Sequence, residues 1–203
     1  MDTPLVSIII PAKNAESTIR KCLNSILRLN YPSYEIIVID DGSTDTTPKI
    51  LSEYKNIKTI TTSGTGPSKA KNMAAKEAKG EYLAFTDADC VVDVNWLNEL
   101  LLGFKIFPGA AACGGRQELP QDAGDFEKNV FIFMKKTGFI TDYMRKIDKN
   151  DIVEVNHNPS CNAIYRKDVF LKENGFLENL WPGEDVELDY RLRKKKYKLV
   201  FNP

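Results

Sequence analysis

The sequence predicts an α/β fold in which a mostly parallel sheet is flanked by helices on both faces. Short runs of β-branched residues alternate with amphipathic segments through the first half of the chain, which is the pattern of successive strand–helix units. The runs at 6–10 and 35–40 are apolar almost throughout, as strands buried on both faces are. With 203 residues and 42% hydrophobic content, the chain is large enough to bury a substantial core in one domain.

The first two strand–helix units follow directly from these patterns. Residues 6–10 form the first predicted strand, and Asn14 or Ser17 is available to cap the helix after it. The apolar face of that helix consists of Ile19, Cys22, Leu23, Ile26 and Leu27, which recur at a helical period. Residues 35–40 form the second strand, and a Gly-Ser-Thr turn leads from it into a short helix around Ile50.

The same alternation continues to residue 114. Residues 57–60 are predicted to be an edge strand, and 67–78 a helix of small residues that ends at Gly80, where glycine takes the left-handed conformation. The next predicted elements are a strand at 82–86, a helix at 96–104 and a strand at 110–114.

The pattern weakens between Arg116 and His157, where polar turns surround an apolar patch at 130–134. We expect this stretch to be a mobile or an acceptor-facing insertion. Order returns with a strand at 163–165, and the spacing of residues after 182–185 predicts a further helix.

Composition argues against several classes of protein. Lysine plus arginine and aspartate plus glutamate each number 28, so the net charge does not indicate a nucleic-acid partner. The longest apolar runs are too short to cross a bilayer and the N-terminus lacks the basic start of a signal peptide, so we expect a cytoplasmic chain. Six of the eight residues at 191–198 are basic; we favour a solvated helix end, with contact to the cytoplasmic face of a membrane as the alternative.

Cysteine and histidine usage narrows the chemistry further. The four cysteines contain no CxxC pair, which fits reduced thiols better than a disulfide framework or a zinc site. The single histidine, His157, excludes a multi-histidine metal site. The glycines at 64 and 66 do not have P-loop spacing, and no glycine fingerprint follows the first strand, so P-loop and nicotinamide-binding folds are disfavoured.

Polar motifs follow three predicted strands at the point where each strand ends. Residues 11–14 (PAKN) follow the first strand, 40–43 (DDGS) follow the second, and 87–89 (DAD) follow the strand at 82–86. Because the carboxyl ends of the strands face the ligand crevice of an open parallel sheet, we expect these motifs to converge on one site.

Each acidic motif has a functional and a structural interpretation. The carboxylates of 87–89 can bind a hard divalent cation, although a solvated loop or helix cap has the same pattern. The pair at 40–41 can accept hydrogen bonds from a nucleotide base and its ribose, or can belong to a capped turn. The pair at 184–185 can supply a general base, or can simply interact with a helix dipole.

Taken together, these motifs resemble those of the family 2 glycosyltransferases. The resemblance runs from VSIIIPAKN through YPSYEIIVIDDGSTD and GPSKAKNMAAKEAKGEYLAFTDADC, and resumes at NAIYRKDVF and GEDVELDYRLRKKKY. It implies a single GT-A type domain over 1–203, with a Rossmann-like, nucleotide-sugar-binding half at 1–115 and an acceptor-side half at 116–203. Residues 116–156, which the resemblance does not cover, are then expected to face the acceptor.

The resemblance also implies which residues bind the nucleotide sugar. Asp41 is expected to contact the base, and Lys71 the diphosphate, in a position where many members have arginine. Lys69 is a possible substitute for Lys71. The residues expected in the nucleotide-sugar pocket are Pro11, Asn14, Asp40, Asp41, Lys69, Lys71 and Asp87.

Metal binding and catalysis are assigned by the same resemblance. Asp87 and Asp89 form the DxD element, with Asp89 the direct ligand of Mg²⁺ or Mn²⁺, which stabilises the charge of the leaving diphosphate. Asp185 of the Glu184-Asp185 pair is the expected catalytic base, because an acceptor hydroxyl must lose its proton as it attacks the anomeric carbon. One such displacement inverts that carbon.

Two departures from the family pattern refine the prediction. The Gln-x-x-Arg-Trp segment of processive members is absent, so we expect transfer of one sugar. The chain ends at Pro203, where relatives commonly continue, so the acceptor-side half is expected to be truncated.

The expected donor is a UDP- or GDP-sugar, and the acceptor a glycan, a lipid phosphate or a protein. A non-catalytic nucleotide-binding relative and a nucleotidyltransferase are the alternatives, although the glycine-rich activation loop of the latter is absent.

Overall fold

From residue 6 to residue 115, strands and helices alternate along the chain in the predicted order. The computed structural model describes residues 3–120, 123–137 and 151–203. The strands within these ranges are β1 (Val6–Ala12), β2 (Tyr34–Asp40), β3 (Lys58–Thr61), β4 (Tyr82–Thr86), β5 (Ala110–Gly115), β6 (Val153–Glu154), β7 (Asn162–Arg166) and β8 (Lys198–Asn202). The helices are α1 (Ile19–Ile26), α2 (Thr47–Ser52), α3 (Pro67–Glu77), α4 (Trp96–Ile106), α5 (Asp125–Thr137), α6 (Lys167–Lys172) and α7 (Glu184–Lys194).

All of these strands belong to one sheet with the order β3-β2-β1-β4-β7-β5-β8-β6. β1 is parallel to β2 and β4, β2 is parallel to β3, and β5 is parallel to β8. β7 lies between β4 and β5 and is antiparallel to both, and β6 is antiparallel to β8. The predicted α/β fold with a mostly parallel sheet is confirmed, and β7 from the second half of the chain joins strands of the first half.

The central strand β1 is buried on both faces of the sheet. Ile8 and Ile10 belong to the core under α1 and α4, whereas Ile9 belongs to the core under α3 and α7. Successive residues of a strand point to opposite faces, so a strand between two helical layers is apolar at every position. This arrangement explains why the run at 6–10 shows no polar alternation.

The helix α5 lies in the stretch where the sequence predicted only turns around an apolar patch. Its Phe126 is 80% exposed and its Ile132 is 48% exposed, so the helix buries little apolar surface within the described part of the chain. Apolar residues do recur at helical spacing along this segment, so the prediction of turns is wrong here and the helix could have been predicted from the sequence. Residues 121–122 and 138–150 of the predicted insertion lie outside the described residues.

Across the described ranges, no helix is both long and apolar enough to cross a membrane.

Both predicted caps are wrong. The helix α1 begins after Thr18, whose side chain makes no capping hydrogen bond to a described residue, and neither Asn14 nor Ser17 is the cap. The helix α3 ends at an extended Ala78, and Gly80 does not have a positive φ. Glycine is required at position 80 for a different reason: a Cβ atom there would lie 2.6 Å from the backbone nitrogen of Ser7, at the start of β1.

We therefore predict that Gly80→Ala lowers the free energy of unfolding by about 1–3 kcal/mol, the usual cost of forcing an extra carbon into a packed interior. The backbone of Ser7 cannot withdraw without disturbing β1. Urea denaturation followed by circular dichroism measures this change as a lower midpoint at constant slope.

Gly109→Ala is the matched control, because a Cβ atom at position 109 would meet nothing within 4 Å. This control is expected to change the free energy of unfolding by less than about 0.5 kcal/mol. Equal effects of the two substitutions would contradict the packing role of Gly80.

Candidate active site

A cleft of about 990 Å³ opens at the carboxyl ends of β1, β2 and β4. Its lining includes residues 11–15 at the end of β1 and beyond it, Asp41 after β2 and residues 87–89 after β4. The opposite side is formed by Lys71 of α3 and by residues 181–185 at the start of α7. The structure thus brings together motifs that are up to 174 positions apart in the sequence, from Pro11 to Asp185.

Side-chain hydrogen bonds connect the loop after β1 to the loop after β2. Asn14 has a positive φ of 51°, its backbone N–H donates to the Ser43 hydroxyl at 2.9 Å, and its side-chain oxygen accepts from the Thr44 N–H at 2.8 Å. The N–H of Ala15 donates to the Thr47 hydroxyl oxygen at 2.8 Å. These contacts fix the backbone at the edge of the cleft where Pro11 and Asn14 lie.

Asp41 organises the loop that connects β3 to α3. Its Oδ1 accepts a hydrogen bond from the Thr62 hydroxyl. The same oxygen accepts one from the Thr65 N–H at 2.6 Å and one from the Thr65 hydroxyl at 3.1 Å. Its Oδ2 accepts one from the Gly66 N–H at 2.8 Å. Burial raises the pKa of Asp41, but these hydrogen bonds outweigh it and lower the pKa overall. Among the described residues, Oδ2 accepts only the Gly66 N–H, so it keeps the capacity to accept a hydrogen bond from a ligand in the cleft.

Asp87 and Asp89 project from the turn that follows β4. The pKa of Asp87 is raised above its ordinary value, and burial is the largest cause. The Lys71 ammonium lowers this pKa, whereas the carboxylates of Asp89 and Glu184 raise it further. Asp89 is more exposed and lines the same cleft. The structure therefore concentrates negative charge on one wall of the cleft.

Lys71 is buried at the base of the cleft. Its ammonium donates to the Ser160 hydroxyl oxygen at 2.8 Å and to a Glu184 carboxylate oxygen at 3.1 Å. The Lys71 and Glu184 side chains are only 4% and 6% exposed. The contact joins α3 to the start of α7. Removing one partner of such a buried pair usually costs about 3–5 kcal/mol, because the other charge is then left buried without compensation. An ammonium has three N–H groups, and two of them donate to described residues, which leaves the third to serve a ligand in the cleft.

Asp185 lies in the first turn of α7, directly after Glu184, which pairs with Lys71. Its Oδ2 accepts a hydrogen bond from the Ser160 N–H at 3.0 Å, and its Oδ1 accepts one from the Val186 N–H at 2.8 Å. The side chain is partly exposed and lines the cleft. A carboxylate held in this way can accept a proton from a bound group.

Two of the predicted site residues do not line this cleft. Asp40 is buried at the end of β2, and its Oδ1 accepts a hydrogen bond from the Ser43 N–H at 3.0 Å, as in a capped turn. Lys69 is exposed on α3, outside the lining residues. His157 also lies outside the cleft lining, with its Nδ1 2.9 Å from Asp189 Oδ2.

Ser160 and Trp181 are among the cleft residues that sequence reasoning missed. Ser160 contacts both Lys71 and Asp185, yet it belongs to no motif that would have identified it. Trp181 lines the cleft and is 68% exposed. Its position three residues before the Glu184-Asp185 pair was the signal that the sequence offered.

The donor set suits a hard divalent cation that is shared with a ligand. The carboxylates of Asp87 and Asp89 are oxygen ligands of the type that Mg²⁺ and Mn²⁺ take. Among the described residues, no three side chains of His, Cys, Asp or Glu are grouped closely enough to hold a metal ion alone. A cation here would therefore need further oxygen ligands, such as those of a diphosphate or of water.

Solved structures of other proteins share this fold. TarS of Staphylococcus aureus in complex with UDP superposes with a TM-score of 0.73 at 24% identity, over 97% of this chain and 57% of that chain. The mannosyltransferase PcManGT of Pyrobaculum calidifontis, in complex with GDP-Man and Mn²⁺, superposes with a TM-score of 0.74 at 20% identity, over 100% of this chain and 56% of that one. At these identities the likeness shows the GT-A type fold.

Sequence comparison identifies the family. The glycosyltransferase AglE of Haloferax volcanii is 30% identical over 208 residues, which cover 98% of this chain and 64% of AglE. The poly(ribitol-phosphate) beta-N-acetylglucosaminyltransferase TarS of Staphylococcus aureus is 35% identical over 100 residues, 46% of this chain and 18% of TarS. The chain thus spans less than two thirds of the length of these relatives. The model of glycosyl transferase family 2 matches residues 7–172, and the chain belongs to that family.

Proposed function

We propose that this chain is the catalytic domain of an inverting, metal-assisted glycosyltransferase that moves one sugar from a nucleoside-diphosphate sugar to a hydroxyl or phosphate acceptor. The observation that supports it most strongly is that Asp41, Asp89 and Asp185 border one cleft with the buried cation of Lys71 beside them. Membership of family 2 and the UDP and GDP-Man complexes of the two structural neighbours agree with a nucleotide-sugar donor.

The nucleotide is proposed to lie against the loops after β1 and β2. Asp41 has an available Oδ2 for a base N–H, and Pro11 and Asn14 form the adjoining wall. Lys71 donates its third N–H to the diphosphate, while Glu184 keeps the ammonium in place. We place the nucleotide-sugar half of the domain at 1–115 and the acceptor-side half at 116–203.

The chemistry is proposed to follow from the carboxylates after β4 and at the start of α7. Asp89, with Asp87, would hold Mg²⁺ or Mn²⁺, which supplies positive charge to the leaving diphosphate. Asp185 accepts the proton of the acceptor hydroxyl as that oxygen attacks the anomeric carbon. The Ser160 N–H keeps the Asp185 carboxylate oriented during this transfer. A single displacement of this kind inverts the anomeric centre.

The acceptor is proposed to enter beside Trp181. Its ring is mostly exposed at the cleft and precedes the acidic pair, where an aromatic face can pack against the apolar face of a sugar. A glycan, a lipid phosphate and a protein remain the candidate acceptors.

We interpret the basic run at 191–198 as a solvated helix end and not as a surface that contacts a membrane. Arg191 pairs with Glu187, Lys195 pairs with Glu173, and Lys198 pairs with Glu154. Half of the basic residues in the run are thus already neutralised by carboxylates of the chain. We therefore propose action in the cytoplasm without a contribution of this run to membrane binding.

A thermal-shift series tests the donor site. UDP or GDP with Mn²⁺ is expected to raise the melting temperature, because a ligand at 100 times its Kd stabilises the folded state by about 2.7 kcal/mol, or about 5–10 °C for a domain of this size. Asp89→Asn is expected to abolish the dependence of this shift on Mn²⁺.

Asp151→Asn, which removes an exposed carboxylate outside the cleft, is the matched control and is expected to retain the full shift. A shift of equal size with and without Mn²⁺ would contradict metal-assisted binding. A shift without turnover of any donor and acceptor would instead support the non-catalytic alternative.

Substitution of the proposed base separates catalysis from binding. Asp185→Asn is expected to lower the rate of nucleoside diphosphate release from UDP-GlcNAc or GDP-mannose by about 10²–10⁴-fold, the usual contribution of a general base. The thermal shift with nucleotide and Mn²⁺ should persist, because Asn keeps the shape of the side chain and an oxygen acceptor.

Asp168→Asn is the control for this experiment, since it removes a carboxylate from the first turn of another helix, α6. It is expected to release nucleoside diphosphate at the unmodified rate. Undiminished release by Asp185→Asn would rule out Asp185 as the base.

A further inference from the structure

Two cysteines meet at the cleft because β4 and β7 are neighbours in the sheet. Thr86 and Asn162 are directly paired at the ends of these antiparallel strands. Cys161 immediately precedes Asn162, and Cys90 follows Thr86 by four positions, after a turn in which its N–H donates to the Asp87 carbonyl oxygen at 3.1 Å. The two cysteines therefore lie at the same edge of the sheet, although 71 positions separate them in the sequence.

The turn at 87–90 returns Cys90 to Asp87, and Cys161 directly precedes the strand partner of Thr86, so the two cysteines are neighbours across β4 and β7. In agreement, the neighbouring thiol lowers the pKa of Cys90 and raises that of Cys161. Cys161 lines the cleft, and its Sγ also accepts a hydrogen bond from the Gln117 side chain at 2.8 Å. Both cysteines are partly accessible, whereas Cys22 and Cys113 are fully buried. Disulfide formation requires neighbouring Cβ atoms and accessible thiols, and partly exposed residues at the ends of two paired strands are placed for it.

We propose that Cys90 and Cys161 form a reversible disulfide at the cleft, a modification site for disulfide oxidants such as oxidised glutathione. One thiolate attacks the oxidant, forms a mixed disulfide and releases one glutathione thiolate. The second cysteine attacks the mixed disulfide and releases the other glutathione. The pair loses two protons and two electrons in total, and the two glutathione molecules that are released carry them.

The new bond would connect two functional segments of the cleft. Cys90 directly follows Asp89, and Cys161 directly follows Ser160, which contacts both Lys71 and Asp185. Oxidation would thus covalently link the turn at 87–90 to the segment that positions Asp185. The formation of the bond does not rest on the proposed transferase activity, so its test needs no donor or acceptor.

Peptide mapping of the full chain tests the proposal. The native protein is equilibrated with mixtures of reduced and oxidised glutathione, its thiols are alkylated, and it is digested with trypsin without reduction. Cleavage after lysine and arginine places the four cysteines on the separate peptides 22–28, 80–105, 106–116 and 150–166. Mass spectrometry should find 80–105 linked to 150–166, and reductant should release them, while the cysteines of the other two peptides remain free.

Three comparisons make the result decisive. Cys113→Ser should leave the link unchanged, and Cys90→Ser should abolish it without linking Cys161 to another cysteine. Equilibration in denaturant should lower the linked fraction severalfold, because the folded sheet is what holds the two thiols together. Free or separately glutathionylated Cys90 and Cys161 in the native chain would overturn the proposal, as would equal linkage in the denatured chain.

Discussion

The ammonium of Lys71 lies in the protein interior, between the Ser160 hydroxyl and the Glu184 carboxylate, and the geometry of the cleft depends on this contact. It joins α3, the segment before β7 and the start of α7, which come from three distant parts of the chain. It also opposes the charge of the acidic wall, since it counteracts the burial and neighbouring carboxylates that raise the pKa of Asp87. A buried cation with such partners allows several carboxylates to share a poorly hydrated site.

Sheet topology explains how the two halves of the chain build one cleft. The parallel strands β1, β2 and β4 deliver three loops to the same edge, as open α/β sheets do. The antiparallel β7 is inserted beside β4, so the segment before it arrives at that edge as well. This insertion is what places Ser160 against Lys71 and Cys161 against Cys90.

Features of the fold that depend on neighbouring residues could be predicted from the sequence. The apolar runs of β1 and β2 predicted buried strands, and the position of acidic residues after strands predicted a shared edge, because both signals depend on neighbouring residues and on general sheet geometry. Contacts between distant segments left no such signal: nothing near Ser160 indicates that it binds Lys71. The difference between Asp40, buried in its turn, and Asp41, at the cleft, likewise depends on the exact direction of the chain at the end of β2.

The account rests on one claim, that the carboxylates gathered around Lys71 hold a cation and a nucleotide in this cleft. Crystals of the full chain grown with Mn²⁺ and UDP or GDP would test it most directly, through anomalous scattering at the manganese absorption edge. The account predicts a manganese peak beside Asp89, with the nucleotide base next to Asp41. An ordered nucleotide on another surface, or a manganese peak distant from Asp89, would contradict it.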